Sequence, residues 1–485
     1  MQGSLKGKTI HGVIWSLIDN VSSSGVIFFV GIILARLLTP EEYGVMAMVS
    51  IFIAISNSII DSGFSSALIR KVKVKPIEYN TVFYFNLLIS LLLYICLFFI
   101  SPFIALFFRE PILCEVMRVI GLILIINALS IIPYTIFVRE INFKTQTIIS
   151  LIASVGSGVI GVWMAFSGQG VWSLVGQQLG RQCLNTLFLW FFCHWKPTVS
   201  FSMTAFKEMF GFGSKLLLSG LLDTIYKDIY YIVIGRCFSS SILGQYTRAK
   251  QFSMVFSTNL TTVVQRVSFP VLSSIQDDSI RLREAYRKVI KSTMLVSFAW
   301  MLGLAAIAKP LLILLISDKW LPAVYFLQIV CFSNMLYPLH AINLNILKVK
   351  GRSDVFLKLE VIKKVLAIFP ILVGVYLGIE MMLWGSVIIS VISYFLNAYY
   401  SASLINYSVY EQLKDIFPSF IVSLGVGFLM WSISLLSISY YLMLIIQLST
   451  GFILAYLIYN WLRLDEFLEI KSIVNNYVRK FYKSM

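Results

Sequence analysis

Apolar runs of 18 to 28 residues recur from one end of this chain to the other. A run of that length crosses a hydrocarbon core of roughly 30 Å as a helix rising about 1.5 Å per residue. A chain that is 58% apolar and 13% charged has too few polar side chains to cover the outside of a 485-residue soluble globule. The fold class expected is therefore an all-α polytopic membrane protein. Strands of alternating polarity are absent from the sequence, which argues against a transmembrane barrel.

Fourteen spans are expected, near 11–35, 44–64, 81–108, 115–137, 145–167, 170–192, 214–236, 241–264, 287–316, 322–346, 354–377, 380–404, 411–437 and 439–462. The first is too long for a signal-peptide core and reads as an uncleaved span. Pro102 and Pro310 mark places where the third and ninth runs can kink. When the loops are assigned alternately to two sides, the side holding the N-terminus receives 28 of the 39 Lys and Arg residues. That bias places both termini in the cytoplasm. It also accounts for the net charge of +16 without a nucleic-acid partner, because the basic residues are spread over separate loops that face anionic lipid.

The stretch ARLLTPEEYGV (35–45) has a counterpart in GRCFSSSILGQ (235–245): an Arg closes an apolar run and a Gly follows eight positions on. Three further matches keep this order. SPFIALFFREP (101–111) answers KPLLILLISDKWLP (309–322), VREINFKT (138–145) answers KVKGRSDV (348–355), and SGQGVWSLV (167–175) answers GIEMMLWGSV (378–387). The offset drifts from 200 to about 212, as short loop insertions produce. Spans one to six are thus repeated as seven to twelve, in parallel because six is even. The expected organisation is a six-helix lobe over 1–200, an amphipathic linker helix over 201–213 lying on the cytoplasmic surface, a second six-helix lobe over 214–407, two peripheral spans over 408–463 and a basic tail over 464–485.

Six scattered cysteines without C-x-x-C spacing and three distant histidines give no disulfide framework and no metal cluster. No G-x-x-x-x-G-K-[ST] loop is present. The short loops leave no room for the catalytic periplasmic domain that a membrane polymerase or ligase of the O-antigen type uses, so no catalytic residues and no organic cofactor are expected.

The run GIILARLLTPEEYGVMAMVSIFIAISNSIIDSGFSSALIRK, with ISLIASVGSGVIGVWMAFSGQGVWSLV and SFPVLSSIQDDSIRLREAYRKV, resembles the bacterial Wzx-type flippases of the polysaccharide transporter family. Their superfamily also holds the multidrug and toxin extruders and the lipid II flippase. The resemblance covers spans one to twelve. It implies two six-helix lobes and an inner-membrane protein that moves an undecaprenyl-diphosphate-linked oligosaccharide to the periplasmic leaflet. It further implies drive by a Na+ or H+ gradient, contact with membrane lipids, and a polysaccharide polymerase and chain-length regulator as partners. A multidrug or small-metabolite antiporter on the same scaffold is the alternative.

An ionised side chain at a helix centre costs about 2.5 to 3.5 kcal/mol on insertion scales and normally faces a cavity or a partner. Arg181, among Gln177, Gln178, Gln182 and Asn185, has no carboxylate three or four residues away. Two roles are open to it, a bidentate grip on phosphate or a buried pair with an acid on another helix. Arg248 and Lys250 suit an anion, or snorkelling to the outer headgroups; Arg266 suits snorkelling. Lys227 is spaced to pair with Asp223 on one face, which leaves Asp228 as a proton or cation carrier. Asp19, followed by three serines, suits sodium-type ligation or the balancing of Arg181. The substrate-binding candidates are thus Arg181, Arg248, Lys250 and Lys227, and the ion-coupling candidates Asp19, Asp223 and Asp228.

Overall fold

The computed structural model of the chain describes the backbone of residues 5–61, 63–472 and 475, and their side chains apart from those of 5–14, 16, 17, 20, 21, 212, 215, 216 and 353. Apart from 475, the expected basic tail beyond residue 472 lies outside the described residues. Every regular element among the described residues is a helix. The chain divides into two compact units between Gly244 and Gln245.

The first unit holds α1 (Leu5–Leu37), α2 (Pro40–Asp61), α3 (Phe64–Arg70), α4 (Pro76–Phe108), α5 (Ile112–Ile120), α6 (Leu122–Arg139), α7 (Phe143–Phe166), α8 (Val171–Phe192) and α9 (Met203–Cys237). Helix α10 (Ser240–Ser274) begins in the first unit and continues into the second. The second unit goes on with α11 (Ser279–Ala306), α12 (Ala308–Ile316), α13 (Leu321–Asn334), α14 (Tyr337–Val349), α15 (Ser353–Leu366), α16 (Ile368–Leu377), α17 (Ile379–Ile405), α18 (Val409–Ser432) and α19 (Tyr440–Trp461). Starts are written locally. Thr39 and Glu42 exchange side-chain and backbone hydrogen bonds in a capping box ahead of α2, and Ser408 and Glu411 do the same for α18. Pro40 and Pro76 open α2 and α4, where a missing N–H is harmless.

Among the described residues nine helical stretches are long and apolar enough to cross a membrane, against fourteen expected. The difference has a chemical reason. Helix α8 carries Gln177, Gln178, Arg181, Gln182 and Asn185. Helix α9 carries Asp223, Lys227 and Asp228, and α10 carries Arg248, Lys250 and Arg266. The α15 segment carries Lys358, Glu360, Lys363 and Lys364 and stops at Ala367. The start of α1 has no described side chains. Helices that fail on hydropathy are the ones loaded with polar groups, as lining helices are.

Six of the residues with positive φ fall at offsets close to those of the sequence matches. Three loops of the first copy turn on a residue with positive φ: Arg109 (φ 59°), Ile141 (φ 57°) and Gly168 (φ 75°). The second copy does so at Ser317 (φ 81°), Gly351 (φ 69°) and Gly378 (φ 97°), which are the aligned positions at offsets of 208, 210 and 210. A β-branched residue in this region is strained, so Ile141 holds by tertiary constraint what Gly351 adopts freely.

Two local expectations are revised. Met203–Phe212, expected as a separate surface helix, forms the opening turns of α9 and runs into the following span without a break. Its Ala205, Phe206 and Met209 pack on Phe64, Leu68, Phe83 and Ile132, which draws the segment into the first unit's core. Pro102 lies inside an unbroken α4, whereas the helix preceding Pro310 ends at Ala306. There the carbonyl four residues before the ring has no N–H to accept.

Within each unit the loops expected on one side do meet. In the first, Arg139 donates to the carbonyls of Leu68 and Lys71, and Asn80 donates to Thr198 and Ser200. Lys71 reaches Glu78 at 2.7 Å and Glu208 at 3.1 Å, and these carboxylates hold its ammonium above its ordinary value. In the second, Lys350 donates to the Gln276 carbonyl, Arg283 pairs with Glu411, and Lys288 with Glu469. Arg287 grips Asp415 through Nε at 2.5 Å and Nη2 at 2.6 Å, and the Tyr407 hydroxyl adds a third bond at 2.6 Å. Asp415 is buried while Arg287 keeps half its surface in solvent, so the pair is worth less than a fully buried one. Asp415→Ala is expected to lower stability by about 2 kcal/mol, read as a drop in the unfolding midpoint of detergent-solubilised protein. An unchanged midpoint would mean that the pair contributes nothing.

Candidate functional site

Helix α8 starts at Gly170, whose φ of 54° and ψ of −128° suit glycine. A Cβ there would also lie 2.4 Å from Oε1 of Glu42, so the α2 carboxylate sits against the α8 N-terminus. Further along, Gly176 and Gly180 let α8 approach α7 closely; a Cβ on them would meet Met164 at 2.3 Å and Ile160 at 2.9 Å. Such small-residue seams are how apolar helices associate without a hydrophobic driving force. With that face committed to α7, helical spacing turns Gln178, Arg181, Gln182 and Asn185 the other way.

That face borders a cavity of about 710 Å³ inside the first unit, walled by α2, α3, α6, α8 and α9. Apart from Asp61, its polar lining is amide and hydroxyl. Asn127 donates to Asn57 Oδ1 at 2.8 Å, and Gln182 donates to Asn127 Oδ1 at 3.2 Å and Ser130 Oγ at 3.3 Å. Ser58 shares a hydrogen bond of 3.1 Å with Thr224 of α9. Tyr134, 51% exposed, opens onto the same space. Asp61 supplies the carboxylate, its Oδ1 accepting the Ser65 hydroxyl at 2.5 Å. Asn185 also lines it, and among the described residues its side chain makes no hydrogen bond.

Arg181 projects from the same face one turn before Asn185 and is exposed rather than packed into the helix seam. The carboxylate whose field reaches it is Asp19 of α1, which also acts on Tyr134. Asp19 Oδ1 accepts from Ser23 Oγ at 3.0 Å, and Ser23 shares a further bond of 2.9 Å with Ser150 of α7. No ion pair within 4 Å joins Asp19 to Arg181 among the described residues, and the serine partner of Asp19 is one of those that follow it in the sequence. Asn20 lies among the residues whose side chains are not described.

The remaining candidates are distributed differently. Lys227 is exposed and Asp223 and Asp228 are half-buried on α9, flanking the Thr224 that reaches Ser58 of the cavity wall. Arg248 belongs to the second unit and is buried there. Its Nη1 donates to Gln251 at 2.6 Å and its guanidinium lies 5.8 Å from the Trp320 ring centre. Lys250, half-buried, stands 5.9 Å from the Tyr246 ring. The sequence reading missed Asn57, Asp61, Asn127, Ser130 and Tyr134. The available signal was polar side chains at spacings of three and four within spans, as in Asn57–Asp61 and Asn127–Ser130–Tyr134. Among the described residues no three His, Cys, Asp or Glu side chains gather as a metal site.

A helical membrane protein whose more polar helices carry amides, hydroxyls and charged side chains belongs to the class of multi-pass transporters. More narrowly, residues 33–325 match the polysaccharide biosynthesis protein family, and the chain belongs to that family. Similar proteins include the teichuronic acid biosynthesis protein TuaB of Bacillus subtilis, 23% identical over 89% of this chain and 90% of its own length. The lipopolysaccharide biosynthesis protein WzxC of Escherichia coli is 23% identical over 76% of each chain, which bears out the Wzx-type resemblance. The succinoglycan biosynthesis transport protein ExoT of Rhizobium meliloti is 25% identical over 79% and 78%. Among solved structures, the lipid II flippase MurJ in an inward closed conformation superposes with a TM-score of 0.75 at 16% identity, covering 94% of this chain and all of that one. An inward-facing multidrug resistance MATE transporter gives 0.60, also at 16% identity, over 80% and 96%. These two likenesses show the fold.

Proposed function

We propose that this protein translocates an undecaprenyl-diphosphate-linked oligosaccharide from the cytoplasmic to the periplasmic leaflet of a bacterial inner membrane, by alternating access coupled to a Na+ or H+ gradient. The observation that carries the reading is Arg181, a guanidinium open beside a cavity of amides and hydroxyls in a family of polysaccharide biosynthesis proteins. A glycan on a diphosphate carrier presents both chemistries, anionic oxygens for a bidentate fork and hydroxyls for the amides. Asp19 keeps Arg181 compensated while the site is empty and is the first choice for the coupling ion, with Asp223 and Asp228 next. Lys227 lies near enough along α9 to share the cargo's charge. Arg248 and Lys250, under Trp320 and Tyr246, would serve only in a conformation that uncovers them.

The test is deletion of the gene in its host. The expected result is loss of a surface glycan, with its undecaprenyl-diphosphate-linked repeat unit accumulating in the cytoplasmic leaflet, and rescue by the wild-type copy. Unchanged glycan combined with altered drug sensitivity would replace this reading with that of a multidrug antiporter on the same fold.

A further inference from the structure

The lining of the first unit's cavity carries one carboxylate, Asp61, the last residue of α2, and no Lys or Arg. A site built to hold several anionic groups would have the opposite balance. Arg181 and Asp19 lie outside that lining, which leaves Asp61 as the charged group of the cavity itself. Its Oδ1 takes the Ser65 hydroxyl, and no other hydrogen-bond or ion-pair partner of Asp61 occurs among the described residues. The neighbouring polar atoms are set up to bind something else. Asn57 spends its oxygen on Asn127, which leaves its Nδ2 as a donor, and Gln182 spends its Nε2 on Asn127 and Ser130, which leaves its Oε1 as an acceptor. Asn185 offers both ends. Half-buried polar groups without protein partners are costly unless a ligand or water satisfies them. A volume of 710 Å³ lies within the usual range of about 300 to 1,000 Å³ for small-molecule sites.

We infer that this cavity is the recognition subsite for a sugar unit that carries hydroxyl or ammonium groups and no carboxylate. The inference rests on the glycan-flippase reading above and specifies its cargo. Asp61 accepts two sugar hydroxyls or one ammonium, the amides pair with the remaining ring hydroxyls, and Tyr134 supplies an apolar face for the C–H side of the ring. A uronate in the same place would set its carboxylate against Asp61. Like charges juxtaposed across a recognition site cost several kcal/mol, so discrimination of at least about tenfold is expected.

The experiment uses the full chain in proteoliposomes and two synthetic probes, undecaprenyl diphosphate trisaccharides that differ only in having one hexose replaced by the corresponding hexuronate. Movement between leaflets is read by accessibility to a membrane-impermeant oxidant. Wild-type protein should move the hexose probe at least about tenfold faster than the uronate probe. Asp61→Asn, matched to wild type in unfolding midpoint, should bring the ratio near one. Asn185→Asp, which adds a second acid to the cavity, should widen it and guards against a misfolded Asp61 variant. Equal movement of both probes by wild type, or a ratio that neither substitution changes, overturns the inference and leaves the flippase reading standing. Movement of neither probe overturns both.

Discussion

Gly44→Ala and Gly244→Ala should each destabilise the protein sharply, and together by less than the sum of the two. The reason lies in the turn that the sequence makes twice. Pro40 opens α2 and Ser240 opens α10, and each carries a glycine four residues on. In the structure these two first turns cross on one another. A Cβ on Gly44 would lie 1.8 Å from the Ser240 carbonyl oxygen, and a Cβ on Gly244 would lie 1.8 Å from the Pro40 carbonyl oxygen. The contact is reciprocal, and in both directions the obstacle is backbone, which cannot swing aside as a side chain does. Overpacking costs about 1 to 3 kcal/mol where side chains adjust, so the upper end is the expectation for either substitution. Separating the turns to admit one methyl also makes room for the other. A double-mutant cycle should therefore show coupling above about 0.5 kcal/mol. Gly25→Ala is the control, because a Cβ there meets nothing within 4 Å and alanine is the better helix former. The measurement is the unfolding midpoint of detergent-purified protein. Additive losses, or alanines tolerated as well at 44 and 244 as at 25, would show that the crossing does not hold the turns together.

What the sequence revealed and what it concealed divide along the same physical line. The repeat was legible because turns are written in local chemistry: Arg36 and Arg236 end runs, Gly44 and Gly244 follow at equal spacing, and the backbone then places positive φ at aligned residues such as Ile141 and Gly351. The apolar helices were legible too, since nine of the expected spans return as helices long and apolar enough to cross a membrane among the described residues. Azimuth was not. Nothing local says that Arg248 is buried beside Trp320 while Arg181 is exposed on the face of α8 away from α7, because that depends on which face Gly176 and Gly180 commit to α7. The continuity of α9 was hidden for a related reason. Lys207 and Glu208 make its opening look like a surface helix, yet Phe206 and Met209 lock the same turns onto α3, α4 and α6. The amide cluster of Asn57, Asn127 and Gln182 has no formal charge to announce it, and its members come from three helices far apart in the chain.

Arg181→Ala should lower glycan export about a hundredfold while the protein still reaches the membrane, the loss expected for one bidentate, charge-assisted contact with phosphate oxygens. That result alone does not separate a substrate contact from a structural one, because truncation also strips Asp19 of the cation that balances it. The double variant Arg181→Ala with Asp19→Asn makes the separation. If Arg181 serves only to neutralise Asp19, removing both charges restores export. If Arg181 grips the cargo, stability recovers in the double variant and export does not. Arg181→Lys should fall between, since an ammonium keeps the charge but lacks the planar fork. Asp19→Asn on its own should leave cargo binding in place and make export insensitive to collapse of the ion gradient, whichever of Na+ or H+ supplies it. Export rescued in the double variant would remove Arg181 from the substrate site, and the amides around Asn57 and Gln182 would then be the place to look for the groups that hold the head of the cargo.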